Sequence, residues 1–316
     1  MKKTFSILVA ICGLSLIFAC KPNSGGKQND KANNVSVSIE PPAKSDFTEG
    51  EIQVSITTPG SKLGELFGKV DPAKGNIKAQ MEKIAKSLSP AEQAELQAES
   101  EKNGMMNLAV LMLPIRSVIY VKGDAATAKF DAVTYHGENY INQQKKEGLM
   151  YVKSQNSSKE ATIRYSGDML KKMASTDIDS KAYNITPTKE TEIIDGYLCT
   201  KNIYTLKNPA KKSESINGIP GTSGKVYKLE VWSSKQIPLA LNFVHPLYVE
   251  EKAGIMKILI QYEQDSKFRI LYQFSSVKSR PVTEAEMTIH QTAKVMDFEK
   301  SEMAAGLALF GIILGM

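Results

Sequence analysis

The sequence predicts a mainly β chain of the α+β class, an antiparallel sheet with a helical insert near its start and an apolar helix at its C-terminus. Three observations carry this. Short runs of strand-forming residues recur at hairpin spacing from Arg116 onward, separated by turn pairs such as Asp195-Gly196. No repeated strand–helix–strand alternation exists to build a parallel sheet. Helical periodicity is confined to one stretch before these strands and to the tail after them. With 316 residues, 42% of them hydrophobic and 23% charged, the chain can bury a core and is too apolar to be mainly disordered. A formal charge of +6 is too mild to indicate nucleic acid.

The N-terminus reads as an export signal. Lys2 and Lys3 precede an uncharged apolar run from Phe5 to Phe18, the combination that a secretory signal requires. The run is short of the roughly 20 apolar residues of a membrane-spanning helix. It ends in Leu16-Ile17-Phe18-Ala19-Cys20, which resembles the lipobox of bacterial lipoproteins, with a branched residue at −3, a small one at −1 and then the cysteine that receives diacylglycerol. An ordinary signal with a chance cysteine is the competing reading. Two or three acyl chains anchor almost irreversibly, at about 0.8 kcal/mol per buried methylene. Lys21 rather than Asp follows the cysteine, which by the same resemblance favours the outer membrane; periplasmic face and cell surface stay open. Residues 1–19 are thus expected to be a signal peptide and 20–45 a flexible tether, polar and rich in Lys, Asn, Gly, Ser and Pro, with a reach of about 25–30 Å.

The body is expected over 46–300, with a helical insert at 63–103. Ile52, Val54 and Ile56 alternate on a first strand. Ile77, Met81, Ile84, Ala85 and Leu88 form a helical stripe. Ser89-Pro90-Ala91-Glu92 then signals a new helix, with Ser as cap, Pro at the first position and Glu three residues on, running to Lys102 with Gly104 beyond. Strands are expected at Ser117–Val121, Ala126–Thr134, Tyr140–Asn142, Leu149–Ser154, Ala161–Tyr165, Lys189–Ile194, Tyr197–Leu206, Val226–Trp232, Leu239–Val244, Ile255–Tyr262 and Phe268–Val277. His136-Gly137 is read as a separator and Asp168–Met173 as a short helix. The 301–316 segment is apolar and, as a helix, about 20 Å long, too short to span a bilayer. Its readings are three: packing in the domain's own cavity, contact with a membrane or partner, or no role.

Signs of chemistry are sparse. His136, His245 and His290 stand alone, and no His-x-x-x-His or Cys-x-x-Cys pair offers a metal site, so no metal or cofactor is expected. There is no Gly-x-Ser-x-Gly elbow. Gly218 to Lys225 has the wrong spacing for a phosphate loop, and Val226 stands where the hydroxyl residue belongs. The Glu250-Glu251 pair is what any charged surface offers. Cys199 is expected to be a buried structural thiol. The Met105-Met106-Asn107-Leu108-Ala109-Val110-Leu111-Met112-Leu113 segment suits a surface that accepts variable aliphatic ligands, with plain core filling as the rival reading. Met105, Met106, Leu108, Leu111, Met112 and Leu113 are therefore the candidate ligand contacts, and Cys20 the candidate lipid anchor.

Ile193-Ile194-Asp195-Gly196-Tyr197-Leu198-Cys199-Thr200-Lys201 resembles the Ile-x-Gly-Tyr-x-Cys-x-Lys signature of an uncharacterised family of bacterial envelope lipoproteins. Leu229-Glu230-Val231-Trp232 and Ile237-Pro238-Leu239 resemble its downstream landmarks. That family is similar to the LolA/LolB-like superfamily of lipoprotein carriers and receptors. The resemblance implies a strongly curved antiparallel half-barrel around helices such as Ile77–Leu88, an apolar cavity for an acyl chain, and no catalysis. On this reading Leu307, Leu309, Phe310, Ile312 and Ile313 of the tail plug the cavity when it is empty. The expected partners are a membrane through the acyl chains, a lipid or lipoprotein ligand, and an envelope protein. The alternative is a structural or accessory envelope protein whose apolar interior is only core.

Overall fold

The computed structural model describes residues 44–71, 74, 77–102, 113–166, 178, 181–208, 226–244, 249, 251–262, 264 and 267–313. Strand β1 (Glu49–Thr57) is followed by helices α1 (Lys62–Phe67), α2 (Ile77–Ser87) and α3 (Pro90–Lys102). The capping box expected at Ser89 forms: Ser89 N–H donates to Glu92 at 2.8 Å and Glu92 N–H to Ser89 Oγ at 3.3 Å. Next come β2 (Arg116–Lys122), β3 (Ala125–Asp131), β4 (Tyr135–Asn142), β5 (Glu147–Ser154) and β6 (Glu160–Ser166). The long hairpin of β7 (Tyr183–Ile194) and β8 (Tyr197–Leu206) leads to β9 (Lys228–Ser234). A 3₁₀ turn (Leu239–Phe243), β10 (Gly254–Gln261) and β11 (Ile270–Ser279) follow. Last are α4 (Glu284–Met287), β12 (Val295–Asp297) and α5 (Glu302–Ile313).

All twelve strands belong to one sheet, ordered β12-β6-β5-β4-β3-β2-β1-β11-β10-β9-β8-β7 and not closed into a barrel. Pairing is antiparallel except at one edge, where β12 runs parallel to β6. Register places Ile52, Ile119, Ala128, Asn139, Met150 and Ile163 abreast on one face. Glu51, Tyr120, Thr127, Tyr140, Leu149 and Arg164 lie abreast on the other. The first face is the inner one. It is covered by α5 and the 3₁₀ turn around β3–β6, and by Leu63, Phe67 and Met81 of the helical insert around β8–β11.

Irregularities bend the sheet. Register shifts fall at Gln53/Val54, Ile255/Lys257 and Pro187/Thr191, and each extra residue sharpens local twist. The 3₁₀ turn touches β10 and also β3 and β4, although three strands lie between them. The β7–β8 tip curls back past β9 and β10: Val277 N–H donates to Asp195 Oδ2 at 2.7 Å. At that tip both turn residues take positive φ, +46° for Asp195 and +83° for Gly196, as a two-residue hairpin demands. Cys199 lies buried near it, its Sγ 3.4 Å from Met256 Sδ.

Several expectations need correcting. Leu239–Val244 is not a strand but largely the 3₁₀ turn, tied to β10 by Asn242, which accepts from Ile255 N–H at 2.8 Å and donates to Ala253 O at 3.0 Å. His136 and Gly137 lie inside β4. Gly137 is there because the Phe130 ring occupies the place of its side chain, where a Cβ would sit 2.2 Å from a ring carbon. Strand β7 begins at Tyr183, well before Lys189, and α4 and β12 were not anticipated. The Asp168–Met173 helix and Gly104 lie outside the described residues.

Candidate functional site

The inner face carries the apolar site. Helix α5 packs on β5 and β6. Ala305, Leu309 and Ile312, spaced i, i+4 and i+7, are 0%, 7% and 4% exposed and join the core containing Ile141, Val152, Ile163 and Tyr165. Ile313 is half-buried against it. Leu307 and Phe310 turn away and are 67% and 51% exposed. Of the five candidate plug residues, three therefore meet the sheet and two meet solvent. The described polar ties are few: Thr134 Oγ1 donates to Ile313 O, and Ala305 N–H to Ser301 O at 2.8 Å.

Among the described residues the inner face is covered by α5, the 3₁₀ turn and the insert. Among the cavities that open on the surface, two have mixed polar and apolar linings. One, of about 470 Å³, is lined by Asp124, Gln143, Gln144, Pro238 and Leu239. Of the candidate ligand contacts only Leu113 is described, half-buried against the core under the insert. Met105, Met106, Leu108, Leu111, Met112 and the anchor Cys20 lie outside the described residues.

The second cavity, about 520 Å³, lies on the outer face, and Asp131, His136, Tyr151, Lys153 and His290 are among its lining residues. Here the histidines that look isolated in sequence converge on one carboxylate. His136 Nδ1 is 2.7 Å from Asp131 Oδ1, and its Nε2 is 3.2 Å from Glu138 Oε1. His290 donates its backbone N–H to Glu138 Oε2 at 2.6 Å and brings Nδ1 within 2.8 Å of Oε1. The bonds to Asp131 and Glu138 push His136 up to about 9, against the effect of burial. Burial works to raise Glu138, but the bonds from His136 and His290 outweigh it and hold the carboxyl at about 2. Both shifts favour a charged pair, so His136 and Glu138 form an ion network shared with Asp131 and His290. Tyr151 stacks at 5.5 Å from the His290 ring and donates to Glu160 at 2.7 Å. Reading His136-Gly137 as a separator hides that His136 and Glu138 share one face of β4, and only register and the 280–292 strap bring in Asp131 and His290. His245 lies outside the described residues.

Other candidates resolve into structure. Among the described residues no group of three or more His, Cys, Asp and Glu side chains is placed to hold a metal ion. Burial pushes the Cys199 thiol up to about 12, so it is not a thiolate at neutral pH. Glu251 accepts from Tyr204 Oη at 2.7 Å and Asn202 Nδ2 at 2.9 Å, which makes it a tie beneath the sheet. Trp232 lies between two cations, Lys257 at 4.2 Å and Lys201 at 5.1 Å from its ring centre.

No family model matches this chain, and no curated protein matches it. Solved structures show slight likeness, among them the following. PNGF-II is 11% identical over 83% of this chain, with a TM-score of 0.39, and this chain spans only 34% of its length. A DUF1329 family protein from Desulfovibrio piger is 12% identical over 55% of this chain and 81% of its own, with a TM-score of 0.23. A domain assigned as an outer membrane lipoprotein-sorting protein from Vibrio parahaemolyticus is 8% identical over 55% of this chain and 83% of its own, with a TM-score of 0.13. Likeness of this size carries no functional weight. No helix among the described residues is long and apolar enough to cross a membrane.

Proposed function

We propose that this chain is an envelope lipoprotein, anchored through acylated Cys20, that holds a lipid or acyl chain against the inner face of its sheet without catalysing a reaction. The observation that carries the reading is α5. An apolar helix lies on the inner face through Ala305, Leu309 and Ile312, contacts of the kind a hydrocarbon chain makes. Its hold is modest. Fully burying Leu309 and Ile312 contributes about 3–6 kcal/mol, and a twelve-residue helix is marginal by itself. A fatty acyl chain offers about 0.8 kcal/mol per methylene, roughly 10 kcal/mol before its own ordering cost, and so competes for the same face. Lys21 favours the outer membrane as the destination.

The test is binding of a fluorescent fatty acid to the mature chain with Cys20→Ser, compared with the same chain lacking residues 303–316. The shorter chain is expected to bind more; equal binding would remove α5 from the role of occupant. A native mass spectrum of the Cys20→Ser chain checks for retained lipid directly.

The second reading, an accessory protein that binds another protein, is favoured by the β7–β8 tip. Ile193 and Leu198 face each other across the strands there and are 42% and 56% exposed. A defined envelope protein captured by the wild-type chain but not by Ile193→Ser/Leu198→Ser, with no lipid retained, would establish it.

A further inference from the structure

Helix α5 carries two apolar stripes. Ala305, Leu309 and Ile312 face the sheet, while Met303, Leu307 and Phe310, at the same i, i+4, i+7 spacing, face outward at 80%, 67% and 51% exposure. From Met303 to Met316 there is no charged and no polar side chain. A Cβ built on Gly306 or Gly311 would meet no atom within 4 Å, so no described part of the chain covers those flanks. Single exposed apolar residues are ordinary, but three in a line on a stretch without charge from Met303 onward mark a surface that something covers.

We propose that this outer stripe contacts a lipid bilayer, with α5 lying along the membrane interface and not across it. The inference rests on the reading of Cys20 as a lipid anchor. Four features select lipid. A twelve-residue helix is about 18 Å long, too short to span the hydrocarbon but long enough to lie in the interface. A protein interface has a polar rim with hydrogen-bonding groups, and the outward side chains of α5 supply none, whereas hydrocarbon asks for none. The polar side that interfacial helices usually turn to water is replaced here by the sheet itself. Finally, residues 21–43 separate Cys20 from the first described residue, and if they are the flexible tether the sequence suggests, their root-mean-square span is about 25–30 Å. Insertion of three side chains is marginal by itself, as a single acyl chain is. A tether that short raises the local concentration of bilayer enough to make it persist. The contact fixes which way the body faces the membrane and places the occupied inner face beside the lipids it would exchange with.

The experiment uses Leu307→Trp in two preparations on phosphatidylethanolamine–phosphatidylglycerol vesicles. One is the acylated full-length protein. In the other, a hexahistidine tag replaces Cys20 and nickel-chelating lipid supplies the anchor. Wild type gives the background from Trp232, and Lys300→Trp, at an exposed site just before α5, is the control. The expected result in both is that the Leu307→Trp emission moves to shorter wavelength. Lipids brominated about 5–10 Å below the headgroups should quench it, while Lys300→Trp is spared. Absence of quenching in the chelator-tethered protein overturns the proposal. So does a blue-shifted, concentration-dependent emission without vesicles, which would mean a second copy covers the stripe. Quenching in the tethered protein, with the full-length chain absent from the vesicle fraction, upholds the stripe and removes the acylation reading instead.

Discussion

The last part of the chain attaches to both faces of the sheet, by opposite chemistry. Residues 280–292 cross the outer face on directional polar contacts. Arg280 bonds Glu51 at 2.7 Å and Glu286 at 2.6 Å, Val282 N–H donates to Glu49 at 2.8 Å, and Thr127 donates to Met287 O at 2.7 Å. Thr283 and Glu286 form a capping box, and His290 closes on buried Glu138. The chain then pairs β12 with β6, rounds the edge and lays α5 on the inner face almost entirely through apolar contact. Charge-assisted hydrogen bonds fix geometry, and their loss leaves a buried group unpaired. Apolar contact is non-directional and can be replaced by any hydrocarbon of similar size. The strap is built to stay, and under the proposed function the helix is the part that a hydrocarbon ligand would exchange for.

The largest expected effect breaks the strap. Glu138→Ala removes a carboxylate whose side chain is 3% exposed and leaves His136 and His290 without their shared acceptor. The cost is expected at about 3–5 kcal/mol, seen as a lower urea midpoint. Hydrogen exchange at the His290 amide should accelerate sharply.

Next is the helix. Leu309→Ala is expected to cost about 2–3 kcal/mol of local stability. Exchange protection should fall across α5 and remain at Thr292, whose N–H donates to Thr162 Oγ1 at 2.8 Å. If both regions lose protection together, they form one cooperative unit and the contrast between them fails.

How far these regions were legible follows from their physics. Alternation is local, so Ile52-x-Val54-x-Ile56 and the β8 run from Tyr197 to Leu206 read correctly. Gly137 read as a breaker because nothing near it in sequence shows that the Phe130 ring needs its space. The Leu239–Val244 run resembles a strand, but tertiary ties from Asn242 fold it into a 3₁₀ turn. The polar cluster spans residues 131 to 290, so it exists only once register is set. Helix α5 was visible as apolar and helical, yet because it is apolar on every side no periodicity could tell Leu309 from Leu307.

pH separates the regions by a smaller margin. His136 has its pKa raised from 6.5 to about 9, so its contribution is complete below 6.5 and is lost as pH climbs through 9. Glu138 is lowered from 4.5 to about 2, so its contribution is complete above 4.5 and is lost as pH falls toward 2. Strap protection should therefore peak between about 4.5 and 6.5 and weaken on the alkaline side by pH 9, while α5 varies little. His136→Gln should flatten the alkaline limb.

The smallest effect has the opposite sign. Gly306 lies in the middle of α5, where a Cβ would meet nothing within 4 Å, and its φ is not positive. Gly306→Ala should therefore stabilise the helix by about 0.5–1 kcal/mol, because alanine orders at lower entropic cost and adds no clash. Measured as α5 exchange protection, the gain should leave His290 and the strap unchanged. The same substitution should weaken fatty-acid binding, since a helix that holds its place more firmly is harder to displace. Tighter α5 with unaltered fatty-acid affinity would mean that ligand and helix do not share the inner face, and the polar strap and apolar helix would then differ only in how they are built.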